Sequence, residues 1–196
     1  HSASSAASDV YKRQAYIAVA GYKMNDFEPY IYKLTDFGKR WMRLDSDLPD
    51  DNFVRVVRAD PEREGLLYAG SEGGLFVSFD DGDHWQSLNM NFPTVPITDL
   101  RVRQNTLIAA TQGRGFWALD ELTVIRQLNV NLSEKRLHVF KPKPSSLMRW
   151  GGRTAANEGK NPPSGVVFSY FLAEEFEGPL SICLLYTSDA ADEAEC

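Results

Sequence analysis

The sequence predicts an all-β fold: a partial β-propeller of about two and two-thirds four-stranded blades, then a linker and the start of a β-sandwich. Three observations carry this. "YKLTDFGKRW" (32–41) overlays "FVSFDDGDHW" (76–85) at a step of 44 residues, placing Asp36 on Asp80, Gly38 on Gly82 and Trp41 on Trp85. "GSEGGLFVSFD" (70–80) overlays "ATQGRGFWALD" (110–120) at a step of 40, placing Gly73 on Gly113, Phe76 on Phe116 and Asp80 on Asp120. Between these marks the chain alternates short β-branched and aromatic runs with turn residues. Self-similarity at this period, with four strands per unit, has the size of a propeller blade.

Taken in order, "AYIAVAG" (15–21), "YIYKLTD" (30–36) and "RWMRLD" (40–45) read as the last three strands of a unit whose innermost strand is missing. "VRVVRAD" (54–60), "LLYAGS" (66–71), "LFVSFD" (75–80) and "HWQSLN" (84–89) form a complete set, with turns at Asp60-Pro61, Gly73-Gly74 and Asp81-Gly82. "ITDLRVR" (97–103), "TLIAAT" (106–111) and "GFWALD" (115–120) begin a third. There the glycine turn is lost. "LDELTVIRQL" (119–128) spaces Leu119, Leu122, Ile125 and Leu128 along one face of a short helix, with Asp120 as its expected N-cap. The propeller blades thus cover 15–128, a Lys-, Pro-, Gly- and Ser-rich linker 129–164, and a strand of a further sheet 165–182. An isolated antiparallel sandwich is the alternative arrangement of the same strands.

The two ends read differently. Residues 1–14 ("HSASSAASDVYKRQ") show no periodicity and 183–196 ("CLLYTSDAADEAEC") are unlike the chain before them. Both are similar to translated sequencing-adapter read-through of metagenomic reading frames and are expected to be artefacts. Cys183 and Cys196 fall in that tail, so cysteine usage says nothing of redox compartment. The formal charge of −6 falls to −3 without the ends, leaving 19 Lys and Arg against 22 Asp and Glu. Neither value fits a nucleic-acid binder or a polybasic membrane anchor. No apolar run approaches the roughly 18 residues of a membrane helix.

"SFDDGDHW" (78–85) concentrates Asp80, Asp81 and Asp83 around Gly82. A calcium loop would need further regularly spaced oxygen ligands and a late bidentate Glu, and the sister turn keeps only Asp36. An acid pair repeated in each blade is likewise the wrong pattern for acid/base work, which needs one asymmetric pair. The residues suit a turn: Asp accepts from backbone N–H groups just ahead, Gly takes positive φ, and Trp buries a large ring. Asp36, Gly38, Trp41, Asp80, Gly82 and Trp85 are therefore read as structural. No metal site and no cofactor is expected, and no catalytic residue is assigned.

This stretch matches the Asp box of neuraminidase-type repeats, Ser-x-Asp-x-Gly-x-x-Trp, and "LTDFGKRW" matches it except for Leu34. With "PTVPITDL" and "TQGRGFWALDELTVIRQL", the chain over 15–182 resembles the last blades of sortilin-like, BNR-repeat β-propeller proteins of bacteria, many described as glycosyl hydrolases. "HVFKPKPSSLMRW" and "GKNPPSGVVFSYFL" resemble the linker and first sandwich strand of those proteins. The resemblance implies an extracellular or periplasmic protein whose remaining blades belong to a longer chain. It leaves three roles open: binding or scaffolding without catalysis in this part, the C-terminal part of a glycoside hydrolase-like propeller acting on polysaccharide, or a sortilin-type peptide- or protein-binding propeller. No sialidase-like Arg-Ile-Pro is present, and in xyloglucanase-like relatives the acids lie in other blades. The resemblance also points to the edge opposite the Asp-box turns as the ligand edge, for carbohydrate or peptide. Its loops, 21–30, 71–74 and 112–115, present Tyr22, Asp26, Glu28, Glu72, Gln112 and Arg114, with Asp99 near the channel. Glu72 is expected to be a solvated or arginine-paired turn residue rather than a catalyst. Arg114, between Gly113 and Gly115, suits a carboxylate, although a structural ion pair is the usual role of such an arginine.

Overall fold

The computed structural model describes residues 2–7, 14–128, 132, 134–145, 165–174, 178 and 181–183. Its described part is nearly all β, with one α-helix, and has the architecture of a partial β-propeller. The first sheet is an antiparallel meander of β1 (Ser2–Ala7), β2 (Ala15–Ala20), β3 (Ile31–Thr35) and β4 (Arg40–Arg43). The second runs β5 (Val54–Ala59), β6 (Leu67–Ser71), β7 (Leu75–Ser78) and β8 (Gln86–Ser87). The third has β9 (Ile97–Arg103), β10 (Thr106–Thr111) and β11 (Phe116–Leu119), and helix α1 (Leu122–Gln127) follows it.

Burial patterns show how the sheets stack. In β2 alternate residues are buried, the period-2 signature of a sheet covered on one face. In β6 every residue is buried, because the second sheet is covered on both faces. One core joins the first and second sheets through Tyr16, Ala18, Ile31, Leu44, Val54, Leu67, Phe76 and Trp85. The other joins the second and third through Val56, Tyr68, Leu75, Ile97, Leu100, Leu107 and Leu122. A register shift between Val54 and Val56 sends neighbouring valines of β5 to opposite cores. The second contact is close enough to require Gly70: a Cβ there would stand 2.5 Å from Ile97 Cγ2 and 2.8 Å from Val56 Cγ1.

Several expectations need correction. The first sheet does not lack its innermost strand. Residues 2–7, read as part of an artefactual end, pair with β2 along their whole length and complete the four-stranded set. The "HWQSLN" strand shortens to Gln86–Ser87. Phe116 is not the register equivalent of Phe76. The β10–β11 hairpin carries one more residue than β6–β7, so Trp117 opposite Ala109 matches Phe76 opposite Ala69. A one-residue slip turns every following side chain to the other face. The helix is shorter than 119–128, and Asp120 does not cap it. Asn105 does that work instead: its backbone oxygen accepts from Leu122 N at 3.1 Å and its amide oxygen from Thr123 Oγ1 at 2.9 Å. Leu122 and Ile125 are buried as expected.

The 129–164 linker contains strand β12 (Leu137–Val139), which pairs with β13 (Tyr170–Leu172); of the strand expected at 165–172, residues 170–172 form it and 165–169 are irregular. The Gln127 amide holds the next stretch, donating to Lys141 O at 3.0 Å and accepting from Lys141 N at 2.9 Å. Residues 146–164 and the tail beyond Cys183 lie outside the described residues.

Candidate functional site

Each sheet has two working edges, because its meander reverses at opposite ends. The Asp-Gly-Trp turns close one end. In both, the backbone takes the left-handed region at equivalent positions: Phe37 (φ 58°) and Gly38 (φ 83°), Asp81 (φ 67°) and Gly82 (φ 97°). In the second turn Ser78 Oγ donates to Asp80 Oδ1 at 2.9 Å and accepts from Gly82 N at 2.8 Å, while His84 N donates to Asp80 Oδ1 at 2.9 Å. The carboxylates diverge: Asp80 meets His84 Nδ1 at 2.6 Å, whereas Asp81 accepts from Tyr16 and Lys33 of the first sheet. Leu34 replaces the serine in the first turn, so Asp36 lacks that hub and pairs with exposed Arg40 at 3.2 Å. Trp85 is buried and its indole donates to Leu44 O at 2.6 Å. Trp41, expected to bury its ring, is exposed and reaches only Gly38 O, at 3.0 Å.

Asp80 and His84 shift each other's protonation in opposite directions. The hydrogen bond between them and the Asp80 charge raise His84 above the ordinary histidine range. Burial pushes Asp80 up, but the His84 backbone and ring and the Ser78 hydroxyl outweigh it and leave the carboxyl below its usual value. The His84 ring is therefore expected to titrate above the ordinary histidine range, and Asp80→Asn to lower it; pH titration of the imidazole NMR signals measures both. The histidine's contribution to stability is complete below its unfolded pKa and is lost as pH rises through the raised folded value. The aspartate's is present above its unfolded pKa and is lost as pH falls through the lowered one.

At the opposite end the β2–β3 connection begins with a 3-10 turn at Tyr22–Met24. Tyr22 stacks on Phe53, ring centroids 5.1 Å apart and planes at 21°, and Phe27 lies 6.2 Å from the same ring. The Arg55 guanidinium sits 4.9 Å from the Phe53 ring and 5.6 Å from Tyr22. It donates through Nε and Nη2 to Glu72 Oε2 at 3.0 and 2.6 Å. Of the two arrangements expected for Glu72, solvated or arginine-paired, the structure has the pair. Phe53 and Arg55 were missed in the sequence because they lie just before and within an inner strand rather than on a loop, and their partners lie well apart from them along the chain. Asp26 Oδ2 accepts from Tyr30 OH at 2.9 Å, a bond that pushes the phenol up to about 12. Glu28 joins the same group, with Arg43 Nη2 3.5 Å from its carboxylate.

Gln112 and Arg114 lie on the β10–β11 hairpin, with none of the hydrogen bonds or ion pairs of that group. Gln112 N donates to Pro96 O at 2.9 Å and Arg114 O accepts from the Trp117 indole at 3.2 Å. The structural ion pair weighed for Arg114 is not formed: its side chain is exposed and has no acidic partner among the described residues. Asp99 is held by Arg58 at 2.8 Å.

This architecture defines the class, a partial β-propeller. No protein-family profile matches the chain, and no curated protein sequence matches it. Among solved structures it is similar to a GH74 enzyme of Niastella koreensis, at 18% identity and a TM-score of 0.47, covering 60% of this chain and 21% of that one. It is also similar to the GH74 xyloglucanase of Xanthomonas campestris, at 18% identity and a TM-score of 0.47, covering 60% of this chain and 22% of that one. YCF48 in complex with a peptide aligns at 20% identity and a TM-score of 0.35, covering 57% of this chain and 38% of that one. The chain spans about a fifth of the length of the two enzymes.

Proposed function

We propose that this chain is part of an exported Asp-box-repeat propeller protein that binds or scaffolds a ligand through the rim opposite its Asp-Gly-Trp turns. One observation carries the reading. Two candidate acids on that rim are tied to neighbours, Glu72 to Arg55 and Asp26 to Tyr30, while Tyr22 and Phe27 stand partly exposed beside them. Exposed rings next to fixed polar groups suit recognition, where the rings supply contact area and the polar groups supply orientation. Arg114 adds a free guanidinium able to take a carboxylate in two hydrogen bonds.

Calorimetric titration with β-glucan oligosaccharides, and separately with short peptides ending in a free carboxylate, tests the reading and selects the ligand class. Arg114→Ala is expected to weaken binding of whichever class binds without changing the melting temperature, and Tyr22→Ala to weaken binding with a modest loss of stability from its stack on Phe53. Turnover of a β-glucan that disappears in Glu72→Gln or Asp26→Asn would overturn the non-catalytic reading in favour of a hydrolase.

A further inference from the structure

The third sheet is one strand short of the other two. Among the described residues no strand lies on the outer edge of β11. In the second sheet that place is held by β8, where Gln86 stands opposite Val77 and Ser87 opposite Phe76. Just ahead of β8, Trp85 enters the core between the first and second sheets. Because Trp117 matches Phe76, the place of Trp85 in the third sheet falls opposite Leu119. An apolar groove lies there, between the second and third sheets, lined by Leu88, Met90, Phe92, Leu107, Trp117 and Leu119. Met90, one of its walls, is 70% exposed. The chain comes back to this place. Helix α1 leads away from the end of β11, and the Gln127 amide grips Lys141 at both backbone groups. Two residues on, Lys143 Nζ lies 3.2 Å from the carboxylate of Glu121, which is two residues past the end of β11. Residues 141–143 thus retrace α1 from its last turn to its start. Lys141 and Lys143 each precede a proline, which keeps them extended.

We infer that this chain's own "SLMRW" (146–150), which lies outside the described residues, adds to β11 as the fourth strand of the third sheet, antiparallel as β8 is to β7. The groove opens between two sheets of this chain, and the path over α1 delivers the segment to the end of β11 where such a strand starts. Its pattern fits. Met148 and Trp150 share one face of an extended segment, and Leu147 and Arg149 the other. In the register of the second sheet Met148 stands opposite Leu119, in the place of Trp85, and Trp150 opposite Trp117, so both fill the groove. Arg149 turns outward, opposite Ala118. Gly151-Gly152 ends the run. Residues 151–164 can span about 45 Å when extended, enough to run back along a strand of about 17 Å before β13. The consequence reaches the rim. The strand braces β11, whose Trp117 indole donates to Arg114 O at 3.2 Å, and so steadies the hairpin that presents Gln112 and Arg114.

Hydrogen exchange of the whole chain, read by mass spectrometry, tests this. Amides of 147–150 are expected to exchange about tenfold or more slower than in a free peptide of that sequence. Trp150→Asp is expected to lower the protection of both 147–150 and 116–119 by about tenfold, with 67–78 unchanged. Arg149→Asp, on the outward face, is expected to leave all three as they were. Ala118→Cys combined with Arg149→Cys is expected to give a disulfide on mild oxidation, seen as one linked peptide, and this result does not depend on how the aspartate variants fold. Exchange of 147–150 at the free-peptide rate overturns the inference. So does protection without the 118–149 link, which would put the segment somewhere other than the edge of β11.

Discussion

Replacing Arg126 by alanine is expected to lower the unfolding free energy by about 3–5 kcal/mol, the cost of leaving a buried charge without its partner. The Asp60 side chain is fully buried and that of Arg126 is 10% exposed. Arg126 Nε lies 3.0 Å from both Asp60 oxygens, and its two remaining nitrogens reach Glu62 at 2.8 Å and Gln104 O at 2.8 Å. Asp60 spends its other lone pairs locally, accepting from Glu62 N, Arg63 N and Tyr68 OH. The pair fastens α1 to the second sheet, and Arg63 adds a bond from the β5–β6 turn to Ile125 O at 2.9 Å. Arg126→Lys is expected to recover only part of the loss, since an ammonium cannot span the same acceptors. Arg40→Ala, which breaks the exposed pair with Asp36, is the contrast, at no more than about 1 kcal/mol. Urea unfolding curves of the three variants measure this; an Arg126→Ala cost no larger than that of Arg40→Ala would sink the argument.

That network also marks where sequence reading stops. Asp60-Pro61 is legible as a turn because the rule is local: an aspartate before proline caps the two N–H groups that follow. Its arginine lies 66 residues on, and no pattern in the chain joins them. The strands from Val54 to Leu119 are legible for the same local reason, β-branched runs between glycine and aspartate turns. Strand β1 was not, because "SASSAA" has no apolar alternation, and only pairing with β2 makes it a strand. The Phe116–Trp117 register failed on one extra hairpin residue, which identity matching across the glycines could not detect. At the rim, loop position pointed to Tyr22 and Glu72. The groups that connect them, Phe53 and Arg55, sit at and near the start of β5 and became visible only once the first two sheets were packed together.

Trp85→Ala is expected to cost about 3–5 kcal/mol, whereas Trp41→Ala costs well under 1 kcal/mol in the isolated chain, although the two residues hold the same place in the same turn. Trp85 lies in the core between the first and second sheets, among Leu44, Leu48 and Phe76, and its indole N–H is satisfied by Leu44 O. Truncation removes the ring's contacts, opens a cavity and leaves that carbonyl without its donor. Gly82 tightens the same spot, since a Cβ there would meet Leu44 Cδ1 at 2.8 Å. At position 41 the ring touches Tyr32 and otherwise faces outward, so truncation removes little that folding buries. Denaturant midpoints of the two variants separate them. If Trp41→Ala then matched Trp85→Ala, the motif would contribute through its own turn alone, and the sheet-to-sheet account of its tryptophan would fail.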